Sequence, residues 1–250
     1  YAHGTSNTLP GTTKSFGATS TVSYYGSTQT VEALTYGHLT IASAGTRTLG
    51  GNATVVGDLS VTGGTFDLST FTANRSSAGG TITVSNGATL KIGGTNSFPT
   101  NYTTATLGAT STVEYNGTAQ SVASKTYGHL TLSNGNTKTA AAAVTVAGDL
   151  TIASATTFAA GSYTHVVQGN WSNSGTFTAG TSTIQLTGSS AASITGATTF
   201  NVLEVNKGAS TTTVTLSNNV TTPTLTMTQG KISTGANSVL VTSSRTGNGL

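Results

Sequence analysis

Apolar and polar residues alternate strictly over short stretches of this chain. Two examples are His38-Leu39-Thr40-Ile41 and Asp58-Leu59-Ser60-Val61, in which every second residue is apolar. A period of two is typical of a strand that buries one face. Glycine pairs and Asn-Gly dipeptides, which favour turns, separate the stretches, and no stretch has the sustained period of a helix. The pattern therefore predicts an all-β protein with essentially no helix.

The same stretches recur at regular distances. Thr35–Thr40 returns as Thr126–Thr131, and a weaker third version occupies Thr199–Leu203. A Gly-Asp-Leu triplet follows each full version at the same distance, at Gly57–Leu59 and Gly148–Leu150. A unit of this length with short strands is typical of one coil of a β-solenoid, whose coils stack in parallel about 4.8 Å apart. We therefore predict a parallel β-helix (β-solenoid) with coils of about 20 residues.

The repeats divide the chain into four parts of one continuous solenoid. Residues 1–16 are predicted to be an extended lead-in, followed by repeat copies at 17–107, 108–179 and 180–250. The first copy is longer than the others by about one coil, as if a whole coil were inserted near residues 66–98. The alternative is a string of small antiparallel sandwiches. The short period inside each copy and the one-coil difference in length favour the solenoid.

Composition excludes several classes of function. Only 6% of the 250 residues are charged, and the net charge of +3 comes from scattered lysines and arginines without a basic run. A nucleic-acid-binding protein needs a concentrated basic surface. The chain has no cysteine, hence no disulfide or thiolate metal site, and no apolar run long enough for a membrane helix. It begins at Tyr1, which we interpret as the start of a processed piece or of a segment of a longer protein.

The one recurring pair of titratable residues is a histidine and an aspartate. His38 and Asp58 occupy matching places in adjacent coils, as do His129 and Asp149. One interpretation is a catalytic pair or two ligands of a metal site. The other is a polar pair across neighbouring strands on the outer face, which stabilises the stack modestly. We favour the structural pair, because neither a nucleophile nor a third ligand recurs nearby and the third copy has other residues there.

Other features of an enzyme are missing from the sequence. Glycosidases need paired carboxylates and calcium sites need clustered acidic oxygens, but the six acidic residues are widely spread. There is no Gly-x-Ser-x-Gly motif and no phosphate-binding loop with its lysine. We therefore expect no enzyme, no catalytic or metal-binding residue and no cofactor.

Two further residue sets have alternative interpretations. Repeated aromatic residues could form a sugar-binding platform, but core packing is the more common role; they are Tyr24, Tyr25, Tyr36, Tyr115, Tyr127, Trp171 and Phe200. Asn-x-Ser/Thr triplets could carry glycans or could arise by chance in a chain so rich in these residues; they begin at Asn52, Asn74, Asn101, Asn116, Asn170 and Asn219.

Some runs resemble known repeats. The runs STVEYNGTAQSV, TYGHLTLS, VTVAGDLTI and NWSNSGTFTAGTSTIQLTG resemble repeats of very large secreted surface proteins of bacteria, especially Bacteroidetes with type IX secretion. The resemblance covers residues 17 to about 245. It implies export and a role as an adhesin, matrix or filament component, and it supplies no catalytic residue.

These observations lead to three hypotheses. The preferred one is a non-enzymatic extracellular structural protein that assembles head to tail with itself into a filament or sheath. The second is a stalk segment of a large cell-surface adhesin. The third is a carbohydrate-binding β-helix with cell-surface glycans as partners. None of the three requires nucleic acid or a membrane span.

Overall fold

The computed structural model describes residues 2–3, 9, 11 and 14–247, with residues 2–3 described by their backbone alone. The described residues form strands, turns and bends and no helix. The chain divides into two compact units, Tyr1–Gly117 and Thr118–Leu250. Most of the predicted lead-in at residues 1–16 lies outside the described residues.

The first unit consists of short strands joined by tight turns. Its strands are β1 (Ala2–His3), β2 (Thr21–Tyr24), β3 (Thr28–Val31), β4 (Thr35–Tyr36), β5 (His38–Ile41), β6 (Thr46–Leu49), β7 (Ala53–Val55), β8 (Leu59–Val61), β9 (Thr65–Asp67), β10 (Ala73–Arg75), β11 (Gly79–Val84), β12 (Thr89–Ile92), β13 (Tyr102–Leu107) and β14 (Thr112–Tyr115).

The second unit has the same character, with two longer strands near its end. Its strands are β15 (Gln120–Val122), β16 (Thr126–Tyr127), β17 (His129–Leu132), β18 (Asn136–Ala140), β19 (Thr145–Val146), β20 (Leu150–Ile152), β21 (Thr156–Ala159), β22 (Thr164–Val167), β23 (Trp171–Asn173), β24 (Thr176–Thr178), β25 (Thr183–Leu186), β26 (Ala192–Thr195), β27 (Thr198–Thr199), β28 (Val202–Asn206), β29 (Thr213–Leu216), β30 (Val220–Gln229), β31 (Lys231–Ser233) and β32 (Val239–Gly247).

In each unit the chain returns to the same sheet after one lap. The first unit has a sheet in the order β1-β2-β5-β8-β11-β13, a second in the order β4-β7-β10, and a third that contains β3-β6-β9-β12-β14. The second unit repeats this arrangement, with β15-β18-β21-β24 as one sheet and β16-β19-β22-β25-β28-β30 within another. The strands pair in parallel, so each sheet is a stack of equivalent segments from successive coils. The predicted parallel β-solenoid is confirmed.

The register of the stack agrees with the sequence period. Leu39 pairs with Leu59 in the first unit, and Leu130 pairs with Leu150 in the second, in each case one coil further on. The coils differ in length: fewer residues separate Val22 from its register partner Leu39 than separate Leu39 from its partner Leu59. These differences are therefore absorbed at the corners, while the strands keep their register.

Inward side chains form ladders in the core. Val22, Leu39, Leu59 and Ile82 follow one another in register, and all four are fully buried. Burying such a side chain stabilises the fold by about 1.5–3 kcal/mol. The corners bring successive coils so close that some positions require glycine. A Cβ on Gly45, whose φ is +97°, would lie 1.8 Å from the carbonyl oxygen of Ser27.

Leu59→Ala tests the core ladder. Removing this buried side chain leaves a cavity between coils, so we expect the free energy of unfolding to fall by about 2–5 kcal/mol. The adjacent Ser60 is partly exposed on the opposite face of the same strand, and Ser60→Ala should change it by less than about 0.5 kcal/mol. Chemical unfolding of both variants measures the difference. Equal effects would contradict the assignment of inward and outward faces.

Candidate functional site

The structure brings each predicted histidine–aspartate pair together at a corner between coils. Nδ1 of His38 lies 3.4 Å from Oδ2 of Asp58, and Nδ1 of His129 lies 3.7 Å from Oδ2 of Asp149. All four side chains are about one third to one half exposed. In the third copy, Val202 pairs in register with Thr224 at the equivalent place.

The hydrogen bonds at these corners give each imidazole a structural role. The backbone N–H of Asp58 donates to Nδ1 of His38 at 3.0 Å, and the N–H of Asp149 donates to Nδ1 of His129 at 2.9 Å. In a catalytic histidine–aspartate pair, Nδ1 carries a proton, and this N–H donates a hydrogen bond to the carboxylate. Here the lone pair of Nδ1 already accepts a backbone proton. The arrangement therefore joins two coils and does not prepare the histidine as a general base.

The aspartates continue the same pattern onto the next coil. Oδ1 of Asp58 accepts the N–H of Thr81, and Oδ1 of Asp149 accepts the N–H of Asn170, both at 2.7 Å. Asn170 in turn accepts the N–H of Ser193 at 2.9 Å. Each side chain in this column thus serves as the acceptor for a backbone amide of the coil that follows.

The asparagines of the Asn-x-Ser/Thr triplets take part in similar corners. Four of them accept a backbone N–H from the next coil through Oδ1; they are Asn52, Asn74, Asn170 and Asn219. Asn101 instead donates through Nδ2 to the carbonyl of Arg75 at 2.9 Å. Asn52, Asn170 and Asn219 each directly precede a strand, and a buried residue and then an outward serine or threonine follow. Asn74 instead lies within β10 and is followed by the half-buried Arg75. Sequence reasoning missed this role, although the recurrence of the triplet is a signal for it.

Sequence reasoning also missed three buried cations, one in each repeat copy. Arg47, Lys138 and Lys207 are fully buried. Their charged atoms donate to backbone carbonyls of the corners. Nη1 of Arg47 contacts the oxygens of Ser43, Ala44 and Gly45 at 3.0, 2.9 and 3.1 Å, Nζ of Lys138 contacts those of Thr118 and Gly135 at 2.8 Å, and Nζ of Lys207 contacts those of Gln168 (3.0 Å) and Thr187.

Removing these cations from water costs free energy, and the surrounding carbonyl dipoles offset part of that cost. Burial lowers the pKa of all three side chains, because it disfavours the charged form. Arg47 pairs in register with Phe66, and Lys138 pairs with Phe158. The sequence signal for two of them was the alternation. Arg47 and Lys138 each occupy an inward position between two outward threonines, in the segments Thr46–Thr48 and Thr137–Thr139.

Most of the repeated aromatic residues lie in the core. Six of the seven named above are buried, and Tyr25 alone of that set is exposed, at 44%. The hydroxyls of Tyr24 and Tyr36 are 2.9 Å apart, and that of Tyr36 donates to the carbonyl of Glu32 at 2.8 Å. Trp171 and Phe200 are in edge-to-face contact, with ring centroids 5.2 Å apart. The buried rings offer no platform for a sugar.

No protein-family model, curated protein or solved structure matches this chain. Among the described residues, no group of three or more histidine and acidic side chains could hold a metal ion. The same part of the chain contains no helix long and apolar enough to cross a membrane. The site geometry and the resemblance of the repeats are therefore the basis for a proposal on function.

Asn74→Ala tests the asparagine acceptors. Oδ1 of Asn74 accepts the N–H of Thr100 at 3.0 Å in an exposed hydrogen bond. Because water can replace the lost acceptor in part, we expect the free energy of unfolding to fall by about 0.5–1 kcal/mol. Asn74→Asp keeps the acceptor and should stay close to the parent. Urea unfolding measures both, and a loss of the same size in both variants would contradict the role of the acceptor.

Alkaline pH tests the buried tyrosines. Burial raises the pKa of Tyr24, Tyr36 and Tyr102 above the ordinary value, whereas the unfolded chain loses these protons near about pH 10. Stability due to these tyrosines is therefore complete below about pH 10 and falls as the pH rises further. We expect Tyr102→Phe to reduce the fall in the urea midpoint measured between about pH 9 and about pH 11.

Two lysines also change the stability at alkaline pH, so the variant must be compared with the parent chain. The lowered pKa of Lys138 and Lys207 acts in the opposite sense, since it adds stability as the pH rises toward their ordinary value of about 10.4. Both lysines are unchanged in Tyr102→Phe, so the difference between variant and parent reports the tyrosine. The same pH dependence in both chains would contradict the prediction.

Proposed function

We propose that this chain is a non-enzymatic structural protein of the cell exterior that assembles end to end with copies of itself into a filament or sheath. The observation that carries the proposal is the use of polar side chains at the corners. The histidines, aspartates and asparagines that could have formed a reactive site accept backbone amides of neighbouring coils. In such a molecule the polar side chains stabilise the stack of coils.

The stacking of one repeat copy on another supports assembly between molecules. Within the second unit, β25 at the start of the third copy pairs with β22 at the end of the second. Four residues of each strand pair in parallel and in register, beginning with Thr164 and Thr183. A copy from another molecule could be added by the same kind of contact. A repeated head-to-tail contact that does not close into a ring produces a filament.

The last strand of the second unit offers a surface for this contact. In the described part of the chain β32 pairs with β30 and with no other strand. Most of its nine residues are exposed, and the side chain of Leu240 is 58% exposed. The edge of an outer strand is a template for pairing with another chain.

Export and surface location rest on the resemblance of the repeats to bacterial surface proteins. The same resemblance supports the alternative, a stalk segment of a longer adhesin. In a stalk, further coils of the same chain would cover the edge of β32. Both functions use the solenoid as a spacer or building unit, and they differ in whether the isolated chain polymerises.

Assembly of the purified 250-residue chain tests the proposal. We expect filaments in electron micrographs and a concentration-dependent increase in sedimentation rate. Leu240→Lys places a charge beside the exposed strand and should shorten or abolish the filaments. Thr139→Lys, which changes an exposed residue on the side of β18, is the matched control and should assemble as the parent does.

Two results would redirect the assignment. A chain that stays monomeric at high concentration would contradict self-assembly and favour the stalk. Specific binding in a glycan screen, lost on substitution of the exposed Tyr25, would favour the carbohydrate-binding alternative.

A further inference from the structure

Three histidines of this chain make the same hydrogen bond. Nδ1 of His38 accepts the backbone N–H of Asp58 at 3.0 Å, and Nδ1 of His129 accepts that of Asp149 at 2.9 Å. Nδ1 of His165 accepts the N–H of Val144 at 3.2 Å. In each case donor and acceptor belong to adjoining coils, so the imidazole links one coil to the next.

This bond requires a neutral imidazole with its proton on Nε2. A nitrogen can accept a backbone proton only through its lone pair, and both nitrogens of a protonated histidine are donors. At His165 the tautomer is also supported from the other side of the ring, where Nε2 lies 2.9 Å from the carbonyl oxygen of Ala160 and donates to it. Protonation of His165 would therefore set its Nδ1–H against the backbone N–H of Val144.

We propose that His165 is an acid-sensitive clamp between coils, which holds two adjoining coils together when its imidazole is neutral and loosens them when it is protonated. The device responds to mildly acidic surroundings. It is independent of self-assembly and acts within a single chain.

His165 is the most protected of the three histidines. It is fully buried on β22, in edge contact with the rings of Phe158 and Tyr163, and it pairs in register with Ile184 of β25. Tyr163 is an ionisable side chain in contact with it, and Lys138 lies on the adjoining sheet as the register partner of Phe158.

Burial lowers the pKa of His165 below the ordinary value, although its bond to Ala160 acts in the opposite sense. The unfolded chain takes up this proton near about pH 6.5. The contribution of neutral His165 to the free energy of unfolding is therefore fully present above about pH 6.5. It is lost as the pH falls toward the lowered pKa of the folded chain.

The two corner histidines differ from His165, because each has a carboxylate beside it. Oδ2 of Asp58 lies 3.4 Å from Nδ1 of His38, and Oδ2 of Asp149 lies 3.7 Å from Nδ1 of His129. Arg75 also faces the first of these corners, since its Nε donates to the carbonyl of Gly57. The corner histidines therefore link coils without being part of the proposed clamp.

The chain itself supplies the control substitution. Asn170 stands in the same column as His129 and Asp149, and its Oδ1 accepts a backbone amide of the next coil without titrating. Because Oδ1 of asparagine takes the place of Nδ1 of histidine, His→Asn keeps the clamp and removes its response to pH. His→Ala removes the clamp altogether.

The experiment compares unfolding in urea at about pH 7.5 and at about pH 5.5, a range in which histidine titrates and aspartate does not. We expect the urea midpoint of the native chain to fall between the two values. In the His165→Asn variant the fall should be smaller. An equal fall in both chains would overturn the proposal.

Nitrogen NMR of the native chain provides a test that does not depend on the folding of a variant. At neutral pH His165 should show an unprotonated Nδ1 and a protonated Nε2. On acidification the amide signal of Val144 should shift together with the titration of His165. A proton on Nδ1 of His165 at neutral pH, or a Val144 amide signal that does not shift with the titration, would overturn the proposal. This holds even if the buried His165→Asn variant does not fold.

Discussion

A stack of parallel coils depends on one constraint: every backbone N–H of one coil must meet an acceptor on the coil beside it. Along the strands, backbone carbonyls supply these acceptors in register, as between Leu39 and Leu59. At the corners some backbone bonds continue from coil to coil, as from the N–H of Gly57 to the carbonyl of Gly37. Side chains supply further acceptors there, through Nδ1 of His38, Oδ1 of Asp58 and Oδ1 of Asn52. These bonds are partly buried or exposed, and a hydrogen bond of this kind contributes about 0.5–1.5 kcal/mol.

The buried cations meet the complementary need. Turns at the corners direct several carbonyl oxygens toward the inside of the coil, where water does not reach. Nζ of Lys138 donates to two of them, and Nη1 of Arg47 donates to three. A positive charge in the core is unfavourable by itself, but it satisfies several acceptors at once. The recurrence of a buried cation in all three repeat copies indicates that this is a regular part of the architecture.

These two devices support the proposed structural role of the molecule. A reactive histidine needs its lone pair and its proton for a substrate, whereas His38 and His129 use Nδ1 to hold a neighbouring coil. The repeat tolerates other residues in their place, as the register pair Val202 and Thr224 shows. What recurs in every copy is the inward alternation and the coupling between coils. Polar side chains that serve the stack leave its outer faces rich in hydroxyl groups and low in charge.

The sequence alone determined the class of fold, the approximate length of the coil and the register of Leu39 with Leu59, because the alternation of side chains and the repeat distance are local properties of a chain. It also placed His38 beside Asp58, since residues one coil apart must be neighbours in a stack. Only the tertiary structure decided which atoms meet there. Whether Nδ1 accepts an amide or donates to a carboxylate depends on a fraction of an ångström at the corner. The burial of Lys138 likewise required the fold, because a lysine between two threonines has the same sequence pattern whether its ammonium group reaches solvent or turns back to the carbonyls of two coils.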